Sequence, residues 1–210
     1  MNKFKSLVLA VIGLLCSISV SAEDFEVDGI YYNITSSTDM TVEVTYRGNS
    51  SNSYSNEYSA TVTIPELVTY NGNTYSVTSI GYYAFYGCQD MEYLYISSEI
   101  ESIGEFAFYD CENLMDILMA SIKAITASEN IFSEATYNNA CLYVPNGRKF
   151  AYEKTTPWNR FFITEMDFTG INDVITDAKT PKVYYDLNGR IVMNPTKGIY
   201  ILNGKKVWVK

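Results

Sequence analysis

"SIGYYAFYGC" at residues 79–88 returns 23 positions later as "SIGEFAFYDC" at residues 102–111, with Ser, Ile, Gly, Ala, Phe, Tyr and Cys in register. The correspondence runs past the cysteine through Met91/Leu114, Leu94/Ile117 and Ile96/Met119. A period of about 20–29 residues with recurring apolar positions is the mark of a leucine-rich solenoid. One such unit cannot bury its own apolar face, whereas stacked units share a continuous core. A third, degraded unit starts at Ile125 and passes through Ile131 and Phe132 to "CLYVP" (141–145), where Leu142 and Val144 take the strand positions. "TVTIP" (61–65) supplies the strand that leads into the stack.

The flanks read differently. Residues 23–78 alternate apolar and polar in "GIYYNI", "MTVEVTY", "ATVTIPELVTY" and "TYSVTSI", with the turn-rich "RGNSSNSYSN" between them. Period-two alternation with β-branched and aromatic residues predicts antiparallel strands, and Asn71-Gly72 predicts a hairpin turn. Residues 146–168 carry a short helix over 148–154 and the apolar group Trp158, Phe161, Phe162 and Ile163, which caps the open end of the stack. In residues 169–210, a linker "NDVITDAKTPK" precedes two hairpin-like units with Asn188-Gly189 and Asn203-Gly204 at their turns.

At the N-terminus, Lys3 and Lys5 precede an apolar run from Leu7 to Leu15, and small residues at Val20 and Ala22 follow. This is the layout of a secretory signal cleaved after Ala22, and the run is too short to span a bilayer. Acylation at Cys16 fits poorly, because Leu15 stands where a small residue is wanted. With Lys3 and Lys5 removed, 13 basic residues face 24 acids, a net charge of −11. That balance disfavours nucleic acid and anionic membrane surfaces as partners. Histidine is absent, which takes away the commonest general base, the usual triads and most zinc ligand sets. Carboxylate-only catalysis stays open on these grounds.

"SIGYYAFYGCQDMEYLYIS" and "SIGEFAFYDCENLMDILMA" resemble the BspA-like leucine-rich repeat family of Bacteroidetes, whose pattern runs I-G-x-x-A-F-x-x-C-x-x-L-x-x-I-x-I-P. The flanks "DFEVDGIYYNI", "VTYNGNTYSVTSIG" and "ATYNNACLYVPNGRKFAYEKTTPWNRFF" resemble the same family, so the likeness spans nearly all of residues 24–168. Units are few, and Ala120 stands where the pattern has proline. "YYDLNGRIVMNPTKGIYILNGKKVWVK" resembles the C-terminal sorting domain of the type IX secretion route. The fold class expected is α+β, mainly a β solenoid: a short leucine-rich-repeat array with a β-hairpin N-terminal region, a helical cap and a small C-terminal β unit. The boundaries are 1–22 signal peptide, 23–78 N-terminal β region, 79–168 repeats with cap, and 169–210 linker and sorting-domain-like tail. The resemblance implies a non-catalytic binding protein of the adhesin or glycan-contacting type, exported to the outer membrane surface or beyond. A structural spacer at the cell envelope with no ligand of its own is the alternative.

Three groups of residues are candidate sites. Cys88 and Cys111 share one rung position at about the 5 Å strand spacing, close enough for a disulfide. Their period equals that of the flanking core positions, so packing as small apolar thiols already accounts for them. Four soft zinc ligands are not available from three remaining cysteines, and no metal or cofactor is expected. Cys141 alternates outward with Tyr143. The acids Glu99, Glu101, Glu105, Asp110 and Glu112 sit near the repeat turns without calcium-loop spacing. The outward strand positions Thr61, Thr63, Tyr93, Tyr95, Asp116, Leu118 and Tyr143 are expected side by side on the concave sheet face. Tyrosine there offers contact area and a hydroxyl to a protein or glycan; equally, tyrosine fits any pleated surface and covers its neighbours.

Overall fold

The computed structural model describes residues 23–52, 56–168, 184–185, 190–192, 195–202 and 205–209. The expected signal segment, the linker and the turn pairs Asn188-Gly189 and Asn203-Gly204 lie outside the described residues. The described residues are mainly β, with two short α-helices among them, α1 (Glu134–Asn139) and α2 (Lys149–Glu153). No helix among the described residues is long and apolar enough to cross a membrane.

The first sheet holds β1 (Phe25–Val27), β2 (Ile30–Ser36), β3 (Thr41–Thr45), β5 (Leu67–Tyr70) and β6 (Asn73–Ile80) in the order β1-β2-β3-β6-β5, with β8 (Ser102–Ile103) paired to β6. Asn71 and Gly72 both adopt left-handed φ, 50° and 79°, and close the β5–β6 hairpin as their sequence predicts. Two departures from the sequence reading stand out. β3 pairs β6 in parallel, whereas the alternation suggests antiparallel strands throughout; period two says nothing about strand direction. "ATVTIPELVTY" also breaks at Pro65, because β4 (Ala60–Ile64) joins the second sheet while β5 joins the first. Proline brings no N–H to continue a ladder.

The second sheet is a parallel ladder that adds β7 (Met91–Ile96), β9 (Asp116–Met119), β10 (Cys141–Pro145) and β11 (Phe162–Met166) in the order β11-β10-β9-β7-β4. The 23-residue period appears in both sheets. Ile80 faces Ile103 between β6 and β8, and Leu94 faces Ile117 between β7 and β9. The connecting turns also stack: Phe85 N–H donates to Ala107 C=O at 2.8 Å and Phe108 N–H to Ile131 C=O at 2.9 Å. Inside them, Phe85, Phe108 and Phe132 form a column of stacked rings at 5.0 and 5.2 Å. The degraded third unit therefore does join the column.

Of the two glycines the motif repeats, Gly104 is required by close approach rather than by a left-handed turn, while a Cβ on Gly81 would be a tight 3.1 Å from the Val44 carbonyl oxygen. A Cβ on Gly104 would lie 2.6 Å from the Tyr82 nitrogen and 2.7 Å from the Gly81 carbonyl carbon, both backbone atoms of the preceding rung. The left-handed residues come two positions later, at Tyr83 (φ 59°) and Phe106 (φ 60°), whose rings stack 5.1 Å apart. Bulky residues are uncommon in that region, so the two turns hold equivalent strained positions.

Cys88 and Cys111 are buried and unbridged. The Cys111 thiol donates to the Phe85 carbonyl at 3.0 Å, and burial pushes the Cys88 thiol up to about 11. At the far end, Trp158, Phe161 and Ile163 are buried as cap residues, but Phe162 is 72% exposed. Phe162 opens β11, and strand alternation turns it away from the buried Phe161 and Ile163. The Trp158 indole donates to Ile125 C=O at 2.6 Å, and the Tyr152 hydroxyl to Ser121 C=O at 2.7 Å. In the tail, β12 (Tyr184–Tyr185), β13 (Ile191–Val192), β14 (Gly198–Leu202) and β15 (Lys205–Val209) form a separate antiparallel sheet in the order β13-β12-β14-β15.

Candidate binding face

Alternation along the parallel ladder buries Val62, Ile64, Leu94, Ile96, Ile117, Met119, Leu142, Val144 and Ile163 in the core and turns the intervening residues to the other face. Registration then sorts that face into two rows. The first reads Thr61, Tyr93, Asp116, Cys141, Phe162, and the second Thr63, Tyr95, Leu118, Tyr143, Thr164. All seven candidate residues thus come from neighbouring strands onto one sheet face.

They do not share one environment. Tyr95 and Leu118 are buried, 8% and 5% exposed, and with Ala120, Tyr143, Met166 and Phe168 they form a second small apolar cluster. Phe168 lies with its ring 6.5 Å from that of Tyr95, and burial pushes the Tyr95 hydroxyl up to about 12. The face that holds the seven residues is therefore half covered, at Tyr95 and Leu118. Sequence reasoning misses Met166 and Phe168, although they continue the parity of Phe162 and Thr164, because "FITEMDF" reads there as capping mass alone. Cys141 is half-buried, with its sulfur 3.7 Å from the Thr164 hydroxyl.

Tyr93, Asp116 and Tyr143 remain partly accessible. The Asp116 carboxylate accepts from the Tyr185 hydroxyl at 3.4 Å. Burial holds its carboxyl above the usual carboxylate range, and the neighbouring phenol hydroxyls of Tyr143 and Tyr185 oppose the shift. A raised pKa means that the folded protein binds the proton more tightly than the unfolded one. The contribution is therefore fully present below an ordinary Asp pKa of about 4 and is lost as pH rises through the raised value. In urea melts, the stability of Asp116→Asn relative to wild type is expected to rise over that window and then level off. A difference that stays constant from acid to neutral pH would sink this assignment.

The turn acids converge on nothing comparable. Glu99, Glu101, Glu105 and Glu112 are exposed and Asp110 half-buried. No group of three His, Cys, Asp or Glu that could hold a metal ion occurs among the described residues.

Residues 73–154 match the family model described as BspA type leucine rich repeat region (6 copies). The match starts at the first residue of β6 and ends just past α2. The matched stretch contains Tyr93, Tyr95, Asp116, Leu118 and Tyr143, whereas Thr61, Thr63 and the covering residues Met166 and Phe168 lie outside it. Similar solved structures include a leucine-rich repeat protein from Bacteroides ovatus, 26% identical over 68% of this protein and 41% of that one, with a TM-score of 0.39. Another is a leucine-rich repeat protein from Bacteroides capillosus, 22% identical over 68% of this protein and 97% of that one, with a TM-score of 0.40. The match thus spans less than half the length of the first. No curated protein matches the sequence.

Proposed function

We propose that this is a non-catalytic, exported binding protein of the adhesin type, a short repeat solenoid that contacts a protein partner through Tyr93, Asp116 and Tyr143. The supporting observation is the partly accessible Asp116 carboxylate, which lies beside Tyr93 on the parallel sheet and accepts from a phenol hydroxyl. Buried charge-assisted hydrogen bonds are directional and costly to leave unmade, so such a group favours a partner that brings a donor. Aromatic side chains with fixed backbone lend contact area at low entropic cost. In the same reading residues 1–22 are the export signal, 23–78 and 79–168 form one scaffold, and 169–210 are a sorting-type unit for the outer membrane.

The structural-spacer reading draws on Tyr95 and Leu118, which are spent on an internal cluster rather than on an open surface. The two separate on arrays of extracellular proteins and glycans probed with wild type and with Tyr93→Ala/Tyr143→Ala. Loss of a protein signal with unchanged melting supports the binding face. A signal confined to glycans replaces the partner class, and no signal together with lowered melting leaves the spacer.

A further inference from the structure

The accessible part of the face already has a neighbour from the same polypeptide. Tyr185, in β12 of the tail sheet, places its ring 6.3 Å from that of Tyr93 and its hydroxyl 3.4 Å from Asp116 Oδ2. At the other end of the face, Phe168 and Met166 cover Tyr95 and Leu118. The face is thus contacted from both ends by segments that follow β10, and at each end an aromatic ring meets a tyrosine, Tyr185 on Tyr93 and Phe168 on Tyr95. Charge points the same way. Residues 169–210 carry seven basic and three acidic side chains, a net +4, whereas residues 23–168 carry six basic and 21 acidic, a net −15. A basic tail beside an acidic body is attracted over about a Debye length, roughly 8–10 Å at physiological ionic strength.

We propose that the tail strand bearing Tyr185 is a cis-acting occupant of the binding face, and that the face accepts a tyrosine-bearing extended segment whose phenol hydroxyl donates to Asp116. This rests on the reading of Tyr93, Asp116 and Tyr143 as a binding surface, and it names the chemistry that surface selects. An external partner must then displace the tail, so the tail sets a threshold for binding. A tethered occupant competes at an effective concentration of about 1 mM. For a free segment with a dissociation constant of about 0.1 mM, apparent affinity falls about tenfold while the tail is in place.

A labelled peptide with the sequence of residues 181–192 tests this by fluorescence anisotropy against the full-length protein. The peptide is expected to bind Tyr185→Ala about tenfold more tightly than wild type, with Tyr185→Phe between them because it keeps the ring. Adding Asp116→Ala to Tyr185→Ala should abolish the binding, with melting curves confirming that each variant is folded. Raised salt should weaken tail closure and bring wild type toward the variant. Equal peptide affinity for wild type and Tyr185→Ala overturns cis occupancy, as does binding that survives the loss of Asp116. Light scattering that shows a dimer broken by Tyr185→Ala overturns it in favour of tails exchanged between copies. None of these readouts needs an external partner, so an array without hits leaves this result standing and fails only the adhesin reading.

Discussion

Trp158→Ala is expected to lower the unfolding free energy by about 3–5 kcal/mol, the usual cost of truncating a fully buried aromatic side chain. Trp158 is wholly buried in the cap, with rings of Phe132, Tyr152 and Phe161 at 6.2, 6.1 and 6.5 Å. Its indole also satisfies the Ile125 carbonyl at 2.6 Å, and leaving that oxygen unpaired adds about 1 kcal/mol or more. For a protein of this size the melting temperature should fall by on the order of 10 °C. Phe162→Ala, four residues later in the same cap, is the control. That ring is 72% exposed, so its loss should stay within about 0.5 kcal/mol. Urea denaturation followed by far-ultraviolet dichroism decides the matter. Similar effects from the two substitutions would mean that the cap is not anchored through Trp158.

Phe108→Ala should cost a similar 3–5 kcal/mol or so, and its effect on cooperativity should differ. Phe108 is the middle ring of the Phe85–Phe108–Phe132 column, wholly buried, with interplanar angles of 9° and 13° to its neighbours. Removing it leaves the two outer rings without a shared neighbour. Repeat proteins owe their cooperativity to such contacts between adjacent units. Unfolding should therefore split in two, with cap fluorescence from Trp158 falling at lower urea than the dichroism of the N-terminal sheet. Coincident transitions with a lowered midpoint would show that the parallel ladder alone carries the coupling. Loss of less than about 1 kcal/mol would contradict the column itself.

The repeat and its phase were legible because they depend on local chemistry copied at a fixed interval. A 23-residue offset satisfies both ladders at once, so every core position recurs with it, from Ile80 and Ile103 to Leu94 and Ile117. Alternation likewise assigned the inward and outward sides of β7, β9 and β10, and so assembled the candidate face residue by residue. The Asn71-Gly72 turn was legible for a similar reason: few residue pairs adopt two successive left-handed conformations without cost.

What stayed hidden depends on where remote segments come to rest. Parity tells that Tyr95 and Leu118 leave the core, but not that Met166 and Phe168 fold over them. That burial arises only when β11 pairs beside β10 and carries the following residues across the sheet. Gly104 recurs with the motif, but only the stacked strands and turns reveal a Cβ-excluding distance to the backbone of Tyr82. The partnership of Asp116 with Tyr185 joins residues 69 apart in sequence, through a tail whose own pattern announces hairpins and nothing about its target. The sequence by itself determined the period, the strand faces and the cap composition, because each is written in nearest-neighbour chemistry. Tertiary structure decided which outward residues are open, because exposure is set by every segment that comes to rest on a surface, however distant in sequence.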